Sequence, residues 1–181
     1  MNRHHAALLA AMLVGLSAHA QARALSACTA RHMTMTLDDG QGAFNGMMHS
    51  GTWLVLRNKG ARACSLASMG SLSFEDGRNH SIPVTWQQAV PPPAIALPAG
   101  GEVTTALRWV SGDVFDPGTC ITPATLVLTL RHGRVRHAFA HALCAPAQRP
   151  PMLEQQPWTV GPPGQGQAHG SFPEPEAHPH S

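Results

Sequence analysis

The sequence predicts an all-β domain, an immunoglobulin-like antiparallel β-sandwich of about 7 to 8 short strands. Three observations carry that reading. Apolar residues alternate with a period of two over short runs, turn-forming Gly, Pro, Asn and Asp separate the runs at regular spacing, and no run keeps a helical period for any length. Composition agrees, since charged residues are only 12% and 17 glycines and 16 prolines interrupt the chain, which suits short strands and many turns.

The chain opens with a leader. Arg3, His4 and His5 precede an apolar run over residues 6–16, and Ala18-His19-Ala20 places small residues where a signal peptidase reads them. Residues 1–20 therefore read as a secretory signal peptide, with residue 24 as the alternative end. The run is shorter than the roughly 20 residues a spanning helix needs, and no later segment offers a transmembrane span. The expected location is periplasmic or secreted. Leu25-Ser26-Ala27-Cys28 also matches a lipoprotein acylation box, but His19, Gln21 and Arg23 separate it from the apolar run, so anchoring at Cys28 is the less favoured reading.

A β-sandwich domain is expected over residues 25–147. Residues 31–37 put Met33, Met35 and Leu37 on one face and end at the turn Asp38-Asp39-Gly40. After a polar, glycine-punctuated loop over residues 41–51, residues 52–57 carry Leu54 and Leu56 on one face and Trp53 and Val55 on the other, a strand covered on both sides. Leu72 and Phe74 mark the next strand, and Ile82, Val84 and Trp86 alternate in another whose Pro83 confines it to an edge. Residues 89–99 read as extended without being a firm strand. Residues 102–110 alternate Val103, Thr105, Leu107 and Trp109 against Thr104, Ala106, Arg108 and Val110. Following a turn-rich loop over residues 111–118, residues 124–130 and 135–143 form a hairpin. Residues 148–181 are rich in Pro, Gly and His, bury little beyond Met152, Leu153, Trp158 and Val160, and read as a disordered tail.

Four cysteines, Cys28, Cys64, Cys120 and Cys144, follow an export signal and none forms a C-x-x-C pair, so two structural disulfides are expected. Of the three pairings, Cys28 with Cys64 and Cys120 with Cys144 is preferred. If Arg131 lies opposite Arg134 across a tight turn, Cys144 faces Ile121, one residue from Cys120.

Strand, Asn-x-Gly turn and cysteine follow one another in Leu54-Val55-Leu56-Arg57-Asn58-Lys59-Gly60 through Cys64. This pattern, with His49-Ser50-Gly51-Thr52 and Leu107-Arg108-Trp109-Val110-Ser111-Gly112 followed by Cys120, resembles the domain of unknown function 4232 family over about residues 28–144. The resemblance implies an exported bacterial protein with a β-sandwich-like domain and brings no activity with it. Met48 and Ala67-Ser68-Met69 depart from the family pattern and bear on loop shape.

Beyond the leader, ten basic side chains face ten acidic ones, and they neither cluster along the sequence nor alternate with aromatics. Nucleic acid is therefore not an expected partner, and neither is a polybasic membrane contact. No G-x-S-x-G elbow, H-E-x-x-H or phosphate-binding glycine loop is present, and the protein is read as no enzyme. His49-Ser50 lacks an orienting acid. Asp38-Asp39, Glu75-Asp76 and Asp113 with Asp116 fall in turns, where aspartate serves the backbone. His137 and His141 share a strand face, about 13 Å apart, too far to share one ion. His169, His178 and His180 in the tail are loose metal binders at best. Met33 and Met35 fall on the core face with Leu37, which leaves Met47, Met48 and His49 as weak metal candidates, since thioether and imidazole ligands suit Cu(I). Of Trp53, Trp86 and Trp109, at least one is expected in the core and another exposed on a binding surface. The reading is an exported non-catalytic module without a cofactor, binding an unknown protein or cell-envelope component. The alternative is a periplasmic copper-binding protein using Met47, Met48 and His49.

Overall fold

The structure, a computed structural model, describes residues 24–67, 71–88 and 93–163. The signal peptide at residues 1–20, Ser68 and Met69, and the tail histidines His169, His178 and His180 lie outside the described residues. Among those described, the chain forms fourteen strands and no α-helix. In order they are β1 (Met33–Asp38), β2 (His49–Asn58), β3 (Cys64–Leu66), β4 (Ser71–Glu75), β5 (Ser81–Ile82), β6 (Thr85–Gln88) and β7 (Ile95–Leu97). Then come β8 (Glu102–Val110), β9 (Gly118–Ile121), β10 (Thr125–Leu130), β11 (Gly133–Ala138), β12 (Leu143–Pro146), β13 (Met152–Gln155) and β14 (Thr159–Val160).

A large sheet runs β1-β2-β8-β13-β6, with β14 continuing along β8, and a smaller one runs β11-β10-β4-β5. Between them lies one core. Met33, Met35, Leu54, Leu56, Leu107, Trp109 and Leu153 of the large sheet meet Leu72, Phe74, Leu126, Leu128 and Val135 of the small one. The alternation read from the sequence is what places them there, because period-two residues share a face. A chain of rings crosses the core. Trp86 stacks on Phe74, Phe74 meets Phe139 edge-on at 4.8 Å, and Phe139 meets Trp109 at 5.3 Å.

The long pair at the centre is β2 with β8, in register from His49 opposite Val110 to Arg57 opposite Glu102. Two short ribbons, β9–β12 and β3–β7, stand outside the main sheets. A two-stranded ribbon is marginal by itself. Each is pinned by a disulfide, Cys120–Cys144 directly across β9 and β12 and Cys28–Cys64 into β3. Each bridge stabilises by about 3 kcal/mol in the loop-closure account.

Four expectations are corrected. The domain does not end at residue 147, because β13 sits between β8 and β6 with Leu153 fully buried and Trp158 4% exposed. The few apolar residues in that proline-rich stretch fall where a gap in the core needs them. Residues 82–86 are not one strand, since Pro83 moves the chain from β5 on the small sheet to β6 on the large one. Lacking an N–H, and biasing the residue before it, proline can continue neither ladder, so both pieces are edges. The β13–β6 pair is parallel, so the large sheet is not wholly antiparallel. Finally, the hairpin turn lies one residue earlier than expected, with Leu130 opposite Gly133, whose φ is 95°. Partners then move by two and every side chain keeps its face. Beyond Ala138 the chain leaves the small sheet, and β12 places Cys144 opposite Cys120 rather than Ile121.

Candidate functional site

Strand β2 begins earlier than the sequence suggests, at His49, because its ladder with β8 runs on to Val110. That leaves residues 46–49 as a tight turn closed by a bridge between Gly46 and His49. Met48 adopts φ 67°, a left-handed conformation that costs a side-chain-bearing residue about 1–2 kcal/mol. What holds it is the neighbouring loop, where Ser111 N–H and Gly112 N–H donate to the Met48 carbonyl at 2.9 and 3.3 Å. Gly112 lets the two loops lie close, since a Cβ there would come within 2.8 Å of the Met48 sulfur and push that side chain aside. The outcome is that Met47 is 91% exposed and Met48 50%, with Val114 exposed on the adjoining loop. His49 is exposed too, its Nδ1 3.1 Å from the Met47 carbonyl oxygen.

Beneath this turn the loop is fixed by Phe44, which is buried against Trp53 at 5.1 Å and lies under the Arg108 guanidinium at 5.4 Å. Gly51 makes room for it, because a Cβ there would approach the Phe44 ring to 2.4 Å. Asp38 and Asp39 accept from the N–H groups of Gly40 and Gln41 at 2.7 and 2.9 Å, so these carboxylates shape the turn as the sequence suggests. An open cleft of about 480 Å³ lies beside them, lined by Thr36, Asp38, Asp39, Thr52, Val55 and His141 among others. His49 and Ser50 do not line it.

His141 is not on the strand of His137. It stands on the segment between β11 and β12, where its ring packs on Trp109 at 5.6 Å and Phe139 at 5.1 Å. Met33 and Met35 are buried in the core, as their face predicts. Trp109 and Trp158 are buried and Trp53 and Trp86 are half-buried, so no tryptophan among the described residues forms the exposed surface the sequence suggested. Glu75, buried, is engaged by Arg136 and, at 3.5 Å, by Arg134. Asp76 accepts from the N–H groups of His80 and Arg78, both at 2.8 Å, and the first of these in particular holds its pKa below the ordinary carboxylate value. Among the described residues no three His, Cys, Asp or Glu side chains converge as a metal site would.

The opposite end is where sequence reasoning missed a feature. Arg31 and His32 lie in a single 3-10 turn, Ala30–His32, bracketed by two other turns. Ala30 N–H donates to the His132 carbonyl at 3.0 Å, and Lys59 N–H donates to the His32 carbonyl at 2.7 Å. Asn58 Nδ2 donates to the Arg62 carbonyl at 2.9 Å. Arg31, Lys59, Arg62 and Arg131, spread over 101 positions of sequence, thus project from one end of the sandwich, all exposed. The signal was present in Asn58-Lys59-Gly60-Ala61-Arg62 and Arg131-His132-Gly133, turns that antiparallel pairing sends to the same end.

Among the described residues no helix is long and apolar enough to cross a membrane, and two disulfides suit an oxidising compartment outside the cytoplasm. The chain matches no curated protein and no solved structure. The match to a family model spans residues 28–162, running past the hairpin through β13 and β14, and the chain belongs to the family described as a domain of unknown function (DUF4232).

Proposed function

We propose that the protein is an exported, non-catalytic binding module of the periplasm or cell surface, and that the Met47–His49 turn is its contact point. The observation that carries this reading is the turn itself. A strained Met48 braced by two backbone hydrogen bonds holds Met47 almost wholly in solvent, beside exposed Met48 and Val114. Methionine is adaptable in contact and expensive to leave bare, so such a group favours a partner that covers it. Strain at a bulky residue is retained where the surroundings over-determine it, and such places concentrate at binding sites. The non-catalytic reading is supported by what the polar groups already do. Asp38, Asp39 and Asp76 cap turns, and Glu75 neutralises two arginines. The test is site-specific photo-crosslinking in the cell envelope from position 47, with position 78 as a surface control. A discrete adduct from position 47 alone is expected; equal labelling from both, or none from position 47, overturns the contact point.

A second reading has one observation in its favour. Met47, Met48 and His49 share an exposed turn, and Nε2 of His49 has no protein partner among the described residues, so two thioethers and an imidazole are available to a soft cation such as Cu(I). Anaerobic Cu(I) titration of the wild type and His49→Ala decides it. Identical weak binding in both removes the copper role.

A further inference from the structure

We infer that the end of the sandwich bearing Arg31, Lys59, Arg62 and Arg131 is a docking surface for an anionic phospholipid membrane. The chain beyond the leader has equal numbers of acidic and basic side chains, so its charge could have been spread evenly. It is not. The segments that build this end, residues 24–33, 58–63, 97–101 and 130–133, contain no carboxylate. Among the described residues the ion pairs engage Arg57, His80, Arg134 and Arg136, and none engages Arg31, Lys59, Arg62 or Arg131. The nearest acid in the chain, Glu102, is held by Arg57 at 3.4 Å. Four of the ten basic side chains are therefore gathered at one end without a counter-charge, flanked by exposed His32 and His132.

Gathering like charge costs free energy through mutual repulsion, and no contact within the fold offsets that cost here. An external polyanion does. Two observations favour a membrane over a soluble polyanion. The described chain starts at this end, with Ser65 N–H bonded to the Ser26 carbonyl at 2.8 Å. Leu25, next to Ser26, is 44% exposed, and an exposed apolar side chain at an end that also carries cations suits a surface that sits in a headgroup layer. The four cations also stand on tips of turns rather than on the walls of a cleft, which suits a broad charged plane. This surface lies at the other end from Met47, so it goes beyond the function proposed above and stands or falls apart from it.

The test is co-sedimentation of the exported, purified protein with vesicles of phosphatidylglycerol and phosphatidylcholine, against phosphatidylcholine alone, at low and at 0.5 M salt. Binding to the anionic vesicles that fades with salt is expected. Each basic side chain near such a surface is worth about fivefold in partitioning, so Arg31→Ser, Lys59→Ser, Arg62→Ser and Arg131→Ser together lower it by several hundredfold. Two controls keep the result readable. Arg78→Ser with Arg149→Ser, exposed charges elsewhere, leaves binding within about twofold of the wild type at equal net charge to Lys59→Ser with Arg131→Ser, which loses about twenty-fivefold. Thermal unfolding of each variant confirms the fold. No binding to anionic vesicles at low salt overturns the inference, as does an equal loss in both double variants. Capture by heparin without vesicle binding overturns it in favour of a soluble polyanion.

Discussion

At the end where residue 24 joins the fold, turns carry Arg31, Lys59, Arg62 and Arg131, while at the other end the turn that closes β1 carries Asp38 and Asp39. Both sets are charged and both lie in turns, yet they differ in what occupies them. Asp38 and Asp39 accept backbone N–H groups within their own turn, so carboxylates are there because the turn needs acceptors. A basic side chain does nothing comparable for a turn, and the four cations pair with no acid among the described residues. The comparison separates charge that a fold consumes from charge that a fold displays, and only the second kind points outward to a partner.

Both ends hang on the same frame, and the largest prediction tests that frame. A chain stopped after residue 147 loses β13 and with it Leu153 and Trp158 from the core, so it fails to give a cooperative unfolding transition, whereas one stopped after residue 163 unfolds like the full chain. Far-UV circular dichroism against temperature reads the difference. An unaltered midpoint in the shorter chain would mean that β13 is an appendage.

Next in size are the staples. Replacing Cys28 and Cys64 together by Ala lowers stability by about 3 kcal/mol, and replacing Cys120 and Cys144 does so by a similar amount, as judged from urea midpoints. The comparison sharpens if hydrogen exchange shows the first pair loosening the cationic end and the second the β9–β12 ribbon. A pair whose removal leaves the midpoint in place contributes nothing to its end.

Glu75→Gln leaves Arg134 and Arg136 without their shared counter-charge, and because both arginines keep solvent access the cost is about 1–2 kcal/mol, below that of a fully buried pair. Double-mutant cycles with Arg136→Ala should recover most of it. Smaller still is the contribution of Asp76. Its pKa is lowered in the folded state, so the stability it lends is present above the unfolded value near 3.9 and is lost as pH falls through the folded value. Asp76→Asn therefore lowers stability slightly and uniformly at neutral pH and removes its share of the decline below about pH 4, so the two curves converge in acid. At the bottom of the scale, Lys59→Ser and Arg131→Ser shift stability by less than about 0.5 kcal/mol, and any change is a gain at low salt. A loss above 1 kcal/mol would mean that these cations serve the fold after all.

How much of this was legible in the sequence follows from range. β8 has the bounds its alternation gives, and Leu54 and Leu56 are buried as their face requires, because period two is a local property. The turn of Asp38 and Asp39 is legible for the same reason. β13 is not, since Met152-Leu153 in a proline-rich stretch acquires meaning only from the gap between β8 and β6. Pro83 marks an edge locally, but that it divides a strand between two sheets depends on where each sheet has room. The Met47–His49 turn is recognisable as a cluster, while the left-handed Met48 needs Gly112, 64 positions away, to be understood. The cationic end is invisible along the chain because its members are distant in sequence and meet only through strand pairing.

The difference between the two ends is tested most directly by hydrogen–deuterium exchange of the purified protein with and without anionic vesicles. Protection confined to residues 29–32, 59–63 and 130–133, with residues 45–49 and 111–117 unchanged, is the predicted result. Protection at residues 45–49 and 111–117 instead, or none anywhere while vesicles are bound, would contradict it.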